Sequence, residues 1–139
     1  MITQQICNIF KLNVLKGLED FDVSSAYVYK IALYNATATL NADTVAYSTT
    51  NEITGTGYTA GGQTLTTLAP TLSGSTAVAT FANVTWNPAS FTTRGALIYN
   101  STTNAAVAVL NFGENKTAVS TFTVTFPVAD ANTAIIRIS

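Results

Sequence analysis

The chain has 139 residues, 47% of them apolar and only 9% charged, with six Lys or Arg against seven Asp or Glu and no histidine. That length suits one ordinary domain with its own core, spanning residues 1–139. The near-neutral balance offers no basic stripe to neutralise phosphates and so excludes a nucleic-acid partner.

Hydration rests on Thr, Asn and Ser rather than on ions, and such faces are buried against a partner without stripping water from charges. The composition is therefore that of an assembly subunit. The longest apolar runs, such as Ala105–Leu110, fall far short of the roughly 20 residues of a membrane span. The opening Met-Ile-Thr-Gln-Gln has no basic segment followed by an apolar run, so no signal peptide is expected. Cys7 stands alone, which excludes an internal disulfide and fits synthesis in a reducing cytosol. Asn-x-Ser/Thr triplets at Asn35, Asn83, Asn100 and Asn115 arise by chance in a chain so rich in Asn and Thr.

Helical periodicity is confined to the first twenty residues. Ile6, Phe10, Val14 and Leu18 recur at every fourth position, with Leu15 and Phe21 widening the stripe. This predicts a helix over about residues 4–18, capped by Thr3, with Gly17 marking an end or a bend. One amphipathic face has to be covered, either by the chain's own sheet or by a neighbouring subunit.

From Tyr27 the period becomes that of strands. Tyr27–Tyr34 places Tyr27, Tyr29, Ile31 and Leu33 on one face. Asn35–Asn41 reads as an arm or a strand, Asn41–Asp43 as a turn, and Thr54–Gly62 as a long glycine-punctuated loop. Gln63–Leu68 resumes strand character. Thr76–Phe81 alternates and continues through Val84 and Trp86 after a register shift near Asn83. Asn87–Pro88 signals a turn, followed by a hairpin of Thr92–Tyr99 with Ala105–Phe112. A turn at Gly113–Lys116, a strand at Thr121–Phe126 and a last strand at Thr133–Ile138 complete the chain. Short strands separated by Gly, Pro, Asn and Ser turns predict a mainly β protein. The expected architecture is an antiparallel β-sandwich with jelly-roll-like or Greek-key wiring and one N-terminal amphipathic helix.

Few residues point to catalysis. Without histidine there is no Ser-His or Cys-His nucleophile, and Cys7 lies near an apolar helix face where packing explains it. Glu19, Asp20 and Asp22 lack the alternating acidic loop and distal Glu of a calcium site and read as solvated acids. Nothing fixes Asp43 and Glu52 at the separation of a glycosidase pair. Gly55, Gly57, Gly61 and Gly62 lack the βαβ context of a dinucleotide loop, and Gln63 stands where a P-loop needs Lys. They supply left-handed backbone or let the chain lie flat on a neighbour. Tyr58 and Trp86 are the aromatics for a stacking contact, with Tyr58 the better placed for exposure. The reading is of a non-enzymatic protein with no metal and no cofactor.

A series of segments resembles successive signatures of a family of small bacteriophage virion structural proteins. The segments are Phe10-Lys11, Leu15–Phe21, Tyr29–Tyr34, Ala38–Asp43, Tyr47–Glu52 and Gly55–Gly62, then Phe81–Trp86, Thr93–Asn100, Val107–Gly113 and Phe122–Pro127. The resemblance covers nearly the whole chain. It implies a virion component made in the host cytoplasm, a capsid decoration or cement subunit that binds the major capsid protein. A homotrimer is the preferred oligomer. A tail or neck part and a carbohydrate- or receptor-binding module are the alternatives. Ile6, Phe10, Val14 and Leu18 on the helix, with Tyr58 on the glycine loop, form the candidate interface.

Overall fold

The computed structural model describes residues 1–139. Ten strands and one helix follow in chain order: β1 (Gln5–Ile6), α1 (Asn8–Leu15), β2 (Tyr29–Tyr34), β3 (Gln63–Thr64), β4 (Thr71–Ser73), β5 (Thr76–Ala79), β6 (Val84–Trp86), β7 (Phe91–Asn100), β8 (Ala105–Ala118), β9 (Phe122–Val124) and β10 (Ile136–Ile138). The protein is mainly β with one short helix. The strands form a five-stranded sheet in the order β1-β8-β7-β2-β3, a three-stranded sheet β10-β5-β4 and a two-stranded pair β6-β9, all paired antiparallel.

The β7–β8 hairpin is the spine. Asn100 closes it by accepting the N–H groups of Thr102 and Thr103, and Asn104 turns the chain with φ +63°. β2 lies along β7 with Ile31 opposite Ile98 and Leu33 opposite Ala96. Residues 31–34, 95–100 and 106–110 are all buried, so the centre of this sheet is covered on both faces and not on one, as strict alternation had suggested. Tyr29 lies under Phe21, which stacks on it at 4.5 Å, and Phe21 also meets Phe10 of α1. Tyr99, opposite Lys30 and therefore on the other face, is stacked by Tyr47 at 4.7 Å. All the buried apolar side chains except Val78 and Ala134 form one contiguous cluster.

The helix is shorter than its periodicity. Residues 5–6 pair with β8 as an edge strand, with Ile6 opposite Ala108, so Ile6 is not on the helix. The apolar spacing Ile2, Ile6 fits a strand as well as a helix, and pairing with β8 satisfies backbone groups that a fraying helical turn would leave to water. Cys7, not Thr3, occupies the N-cap, with no side-chain cap. The C-terminal end follows the glycine. Gly17 has φ +71°, Leu18 N–H bonds to Asn13 O at 2.9 Å and Gly17 N–H to Val14 O at 3.1 Å, the two bonds of a Schellman stop.

Two further expectations are corrected. Gly113–Lys116 does not end a strand: β8 continues to Ala118, and Phe112–Asn115 bulge out opposite Arg94 before pairing resumes at Lys116 with Thr93. Gly113, at φ +83°, and Asn111, whose Oδ1 accepts its N–H, hold the bulge. Nor is there a register shift near Asn83 within one strand. β5 and β6 belong to different sheets, and Asn83 Oδ1 accepts the Phe126 N–H at the crossing.

Candidate functional site

Two places concentrate chemistry. The first is a cleft between α1 and the three-stranded sheet. Phe10 and Val14, one helical turn apart, line it from the helix, with Glu19 and Phe21 from the segment that follows and Ala79, Ile136 and Ile138 from the sheet. Its volume is about 130 Å³. From the sheet come Ala77, Val78, Ala79, Ile136 and Ile138; Ala79 pairs with Ile136, and two residues along, Ala77 pairs with both Ile138 and Leu72, the last outside the cleft. The Ala79–Ile136 end is buried. At the other end the row Leu72, Ala77, Ile138 is open, with Leu72 75% and Ile138 55% exposed. Three apolar side chains in register across three strands are a surface feature that ordinary folding leaves uncovered only at a cost in hydration. In the N-terminal region Leu12, Leu15 and Leu18 are also exposed.

Glu19 is the polar exception in the cleft. Its Oε2 accepts the Tyr29 hydroxyl at 2.8 Å. Burial pushes its carboxyl above the usual range, and the Tyr29 hydroxyl and the facing amides of Asn100 and Asn13 offset this in part. Those amides lie near enough to favour the anion, yet Glu19 Oε1 and Asn100 Nδ2 are both buried without a completed hydrogen bond.

The second place is a knot of tyrosines around Glu52. Tyr47 donates to Oε2 at 2.6 Å, while Tyr58 at 2.6 Å and the Gly61 N–H at 2.7 Å donate to Oε1. Tyr99 donates to Gly61 O at 2.7 Å, and Tyr34 to Ser48 O at 2.6 Å. Burial, helped by the Glu52 charge, raises Tyr34, Tyr47 and Tyr58 well above the usual phenol range and Tyr99 to about 12. Three internal donors hold this carboxylate in one orientation. The knot fixes the glycine loop. In that loop a Cβ on Gly57 would lie 1.8 Å from Pro88 O, and one on Gly62 would lie 1.7 Å from Ile31 O. The glycines let the chain lie flat, here against its own backbone.

The residues singled out from sequence separate. Phe10 is buried in the core, Ile6 and Val14 are half-buried, and Leu18 is exposed, so they do not make one continuous ridge. Tyr58 is half-buried, its hydroxyl committed to Glu52 and to the Leu33 N–H, and its ring packed near Trp86 and Phe91. Trp86 is 1% exposed and presents no stacking face. Cys7 is buried, and desolvation lifts its thiol to about 11. Asp43 accepts from Asn8 Nδ2 in the open and is not part of the Glu52 knot. No three His, Cys, Asp or Glu side chains converge. Sequence reasoning missed Leu72 and Ile138, whose exposure depends on a pairing of distant segments, and it treated Glu19 as solvated. Comparison of the chain with protein families, with characterised proteins and with solved structures gives no match.

Proposed function

We propose that this chain is a non-enzymatic structural subunit that works by assembling with copies of itself and with a larger shell. The observation that carries it is the open row Leu72, Ala77, Ile138 on a surface whose whole chain has only 9% charged residues. Exposed apolar side chains in register gain when covered, and a surface with so little charge has little self-repulsion to prevent it. The fold reading that accompanies it is a sandwich with Greek-key or jelly-roll wiring. In support, β1 and β2 flank the β7–β8 hairpin within one antiparallel sheet.

The more specific reading is a bacteriophage virion protein, a capsid decoration or cement subunit that bridges capsomers as a homotrimer on the major capsid protein. It rests on the resemblance of the sequence segments from Phe10 to Pro127 to that family. Two measurements test it. Light scattering on the purified protein is expected to give a closed oligomer, and a monomer at micromolar concentration overturns the assembly reading. Quantitative mass spectrometry of purified virions is expected to find hundreds of copies. A dozen or fewer points to the tail or neck, and absence removes the virion reading.

A further inference from the structure

We propose that the outer edge of β9 is a contact between two copies of this chain, which pair their β9 strands antiparallel about a two-fold axis centred on Thr123. The inference rests on the reading that copies assemble, and it locates one contact on a different sheet from Leu72 and Ile138. β9 pairs with β6 alone, and three bonds show which way its backbone groups point. Ser120 O accepts the Ala89 N–H at 2.8 Å, and the Phe126 N–H donates to Asn83 Oδ1 at 3.0 Å, so the even-numbered residues turn toward β6 and its flanks. On β6, Thr85 O accepts from Gln63 Nε2 at 2.9 Å and faces away from β9. Thr85 and Thr123 thus oppose each other as a non-hydrogen-bonded pair. Thr121, Thr123 and Thr125 therefore turn their N–H and C=O groups outward. Thr121 and Thr125 make no backbone–backbone hydrogen bond, and Thr123 and Thr125 border an open cleft beside Phe112 and Lys116.

Free edges are ordinarily guarded by charge, proline or a bulge. Arg137 stands on β10 and Pro70 immediately before β4, but Thr121–Phe126 carries no charge and no proline, and its ladder with β6 has no bulge. The occupant is a second β9 because this edge is complementary to itself. Pairing centred on Thr123 sets Thr121 against Thr125 of the second copy, Thr123 against its own equivalent and Phe122 against Val124. The outward residues then all fall in hydrogen-bonded pairs, each exchanging two backbone bonds. On the exposed face threonine meets threonine, the match this chain already uses in its own ladders: the Thr85 and Thr123 hydroxyls meet at 2.9 Å, as do those of Thr92 and Thr117. Val119 and Val128, 85% and 74% exposed, stand beyond the two ends of the edge. The same two-fold sets the Val119 end of one copy beside the Val128 end of the other. Such a contact closes at two copies and is separate from any three-fold one.

Amide hydrogen exchange on the whole protein across a concentration series reads the contact without any substitution. The Phe122 and Val124 amides, turned toward β6, are expected to be protected at every concentration. The Thr123 amide is expected to exchange about tenfold or more slowly as copies associate. Thr123 is exposed, so its side chain can be changed without disturbing the core. Thr123→Lys and Thr123→Glu each place like charges across the two-fold, and each is expected to associate about tenfold or more weakly in sedimentation velocity. Mixed in equal amounts, the two variants place opposite charges there and are expected to recover the parent's association. A Thr123 amide whose exchange ignores concentration overturns the proposal, as do variants that associate like the parent. Loss that the mixture fails to restore also overturns it, because β9 then meets some other strand. In each of those cases an oligomeric parent leaves the assembly reading standing, whereas a parent that is monomeric throughout removes both. Should either variant lose its near-ultraviolet dichroism, the exchange series decides alone.

Discussion

Tyr58 donates its hydroxyl to Glu52 at 2.6 Å and accepts the Leu33 N–H at 2.9 Å, so one oxygen ties the glycine loop to β2. Leu33 N–H lies inside the sheet's buried centre, where water cannot replace a lost acceptor. Tyr58→Phe is therefore expected to destabilise the protein by about 1–3 kcal/mol, since it leaves both a buried donor and a carboxylate oxygen short of partners. Tyr47→Phe removes only a bond to Glu52 from a half-buried ring and is expected to cost less. Urea unfolding checks this: the midpoint should fall further for Tyr58→Phe, with the slope unchanged for both.

Two glycines with the same sign of φ separate backbone conformation from close approach. Gly74 has φ +62° and open space around it, while Gly62 has φ +76° and the Ile31 carbonyl where a Cβ would sit. Gly74→Ala is expected to cost about 1–2 kcal/mol, the left-handed penalty alone. Gly62→Ala adds displacement of β2 backbone and is expected to cost at least about 3 kcal/mol. Equal midpoints for the two variants in thermal unfolding would show that the loop moves freely off β2.

What the sequence disclosed follows the range of each interaction. The hairpin around Asn100, an end or bend at Gly17 and the left-handed glycines of the 54–62 loop are readable because turn chemistry is local, whereas the surface that loop lies on, the chain's own backbone and not a neighbour's, is not. Gly113-Glu-Asn-Lys carries turn residues and spells a turn locally, and only the pairing of Lys116 with Thr93 reveals that the ladder resumes. Ile6 shares its four-residue spacing with Phe10 and Val14 and so looks helical in sequence, but pairing with β8 makes it strand. Glu19 and the row Leu72, Ala77, Ile138 were invisible. Each depends on segments far apart in sequence: Glu19 meets Asn100, and Leu72 lines up with Ile138 through Ala77.

The tyrosines set an alkaline limit on stability. Burial holds Tyr29, Tyr34, Tyr47 and Tyr58 above the usual range and Tyr99 at about 12. In the unfolded chain the same phenols ionise near a pH of about 10. Above that pH the folded state retains protons that the unfolded state has released, so stability falls as pH rises from about 10 toward the folded values; below about 10 the contribution is fully present. Ultraviolet difference spectra are expected to show tyrosinate appearing together with loss of near-ultraviolet dichroism. Smooth ionisation of all these tyrosines in a chain that keeps its dichroism contradicts this. Glu19 has the same direction of shift in the acid range: its carboxyl is raised, so acidification from neutral pH toward about 4 relieves the buried charge and adds stability. Glu19→Gln is expected to flatten that part of the pH profile.

The helix and the sheet row make opposite predictions under the same kind of substitution. Phe10 is 3% exposed and meets Phe21 in a tilted ring contact, so Phe10→Ser is expected to cost about 3–5 kcal/mol and to unfold much of the population. Leu15, at 87% exposed, touches little, and Leu15→Ser is expected to leave stability within about 0.5 kcal/mol. Leu72→Ser with Ile138→Ser removes the open end of the row without touching Ala79 or Ile136, so the fold is expected to survive with an unchanged dichroism spectrum. If that row is what copies or partners cover, full burial of each side chain is worth about 1.5–3 kcal/mol, and losing two weakens association by about a hundredfold or more. Sedimentation velocity across a concentration series measures this directly. A double variant that stays folded and associates as tightly as the parent places the interface elsewhere, and Leu12, Leu15 and Leu18 are then the next apolar surface to substitute.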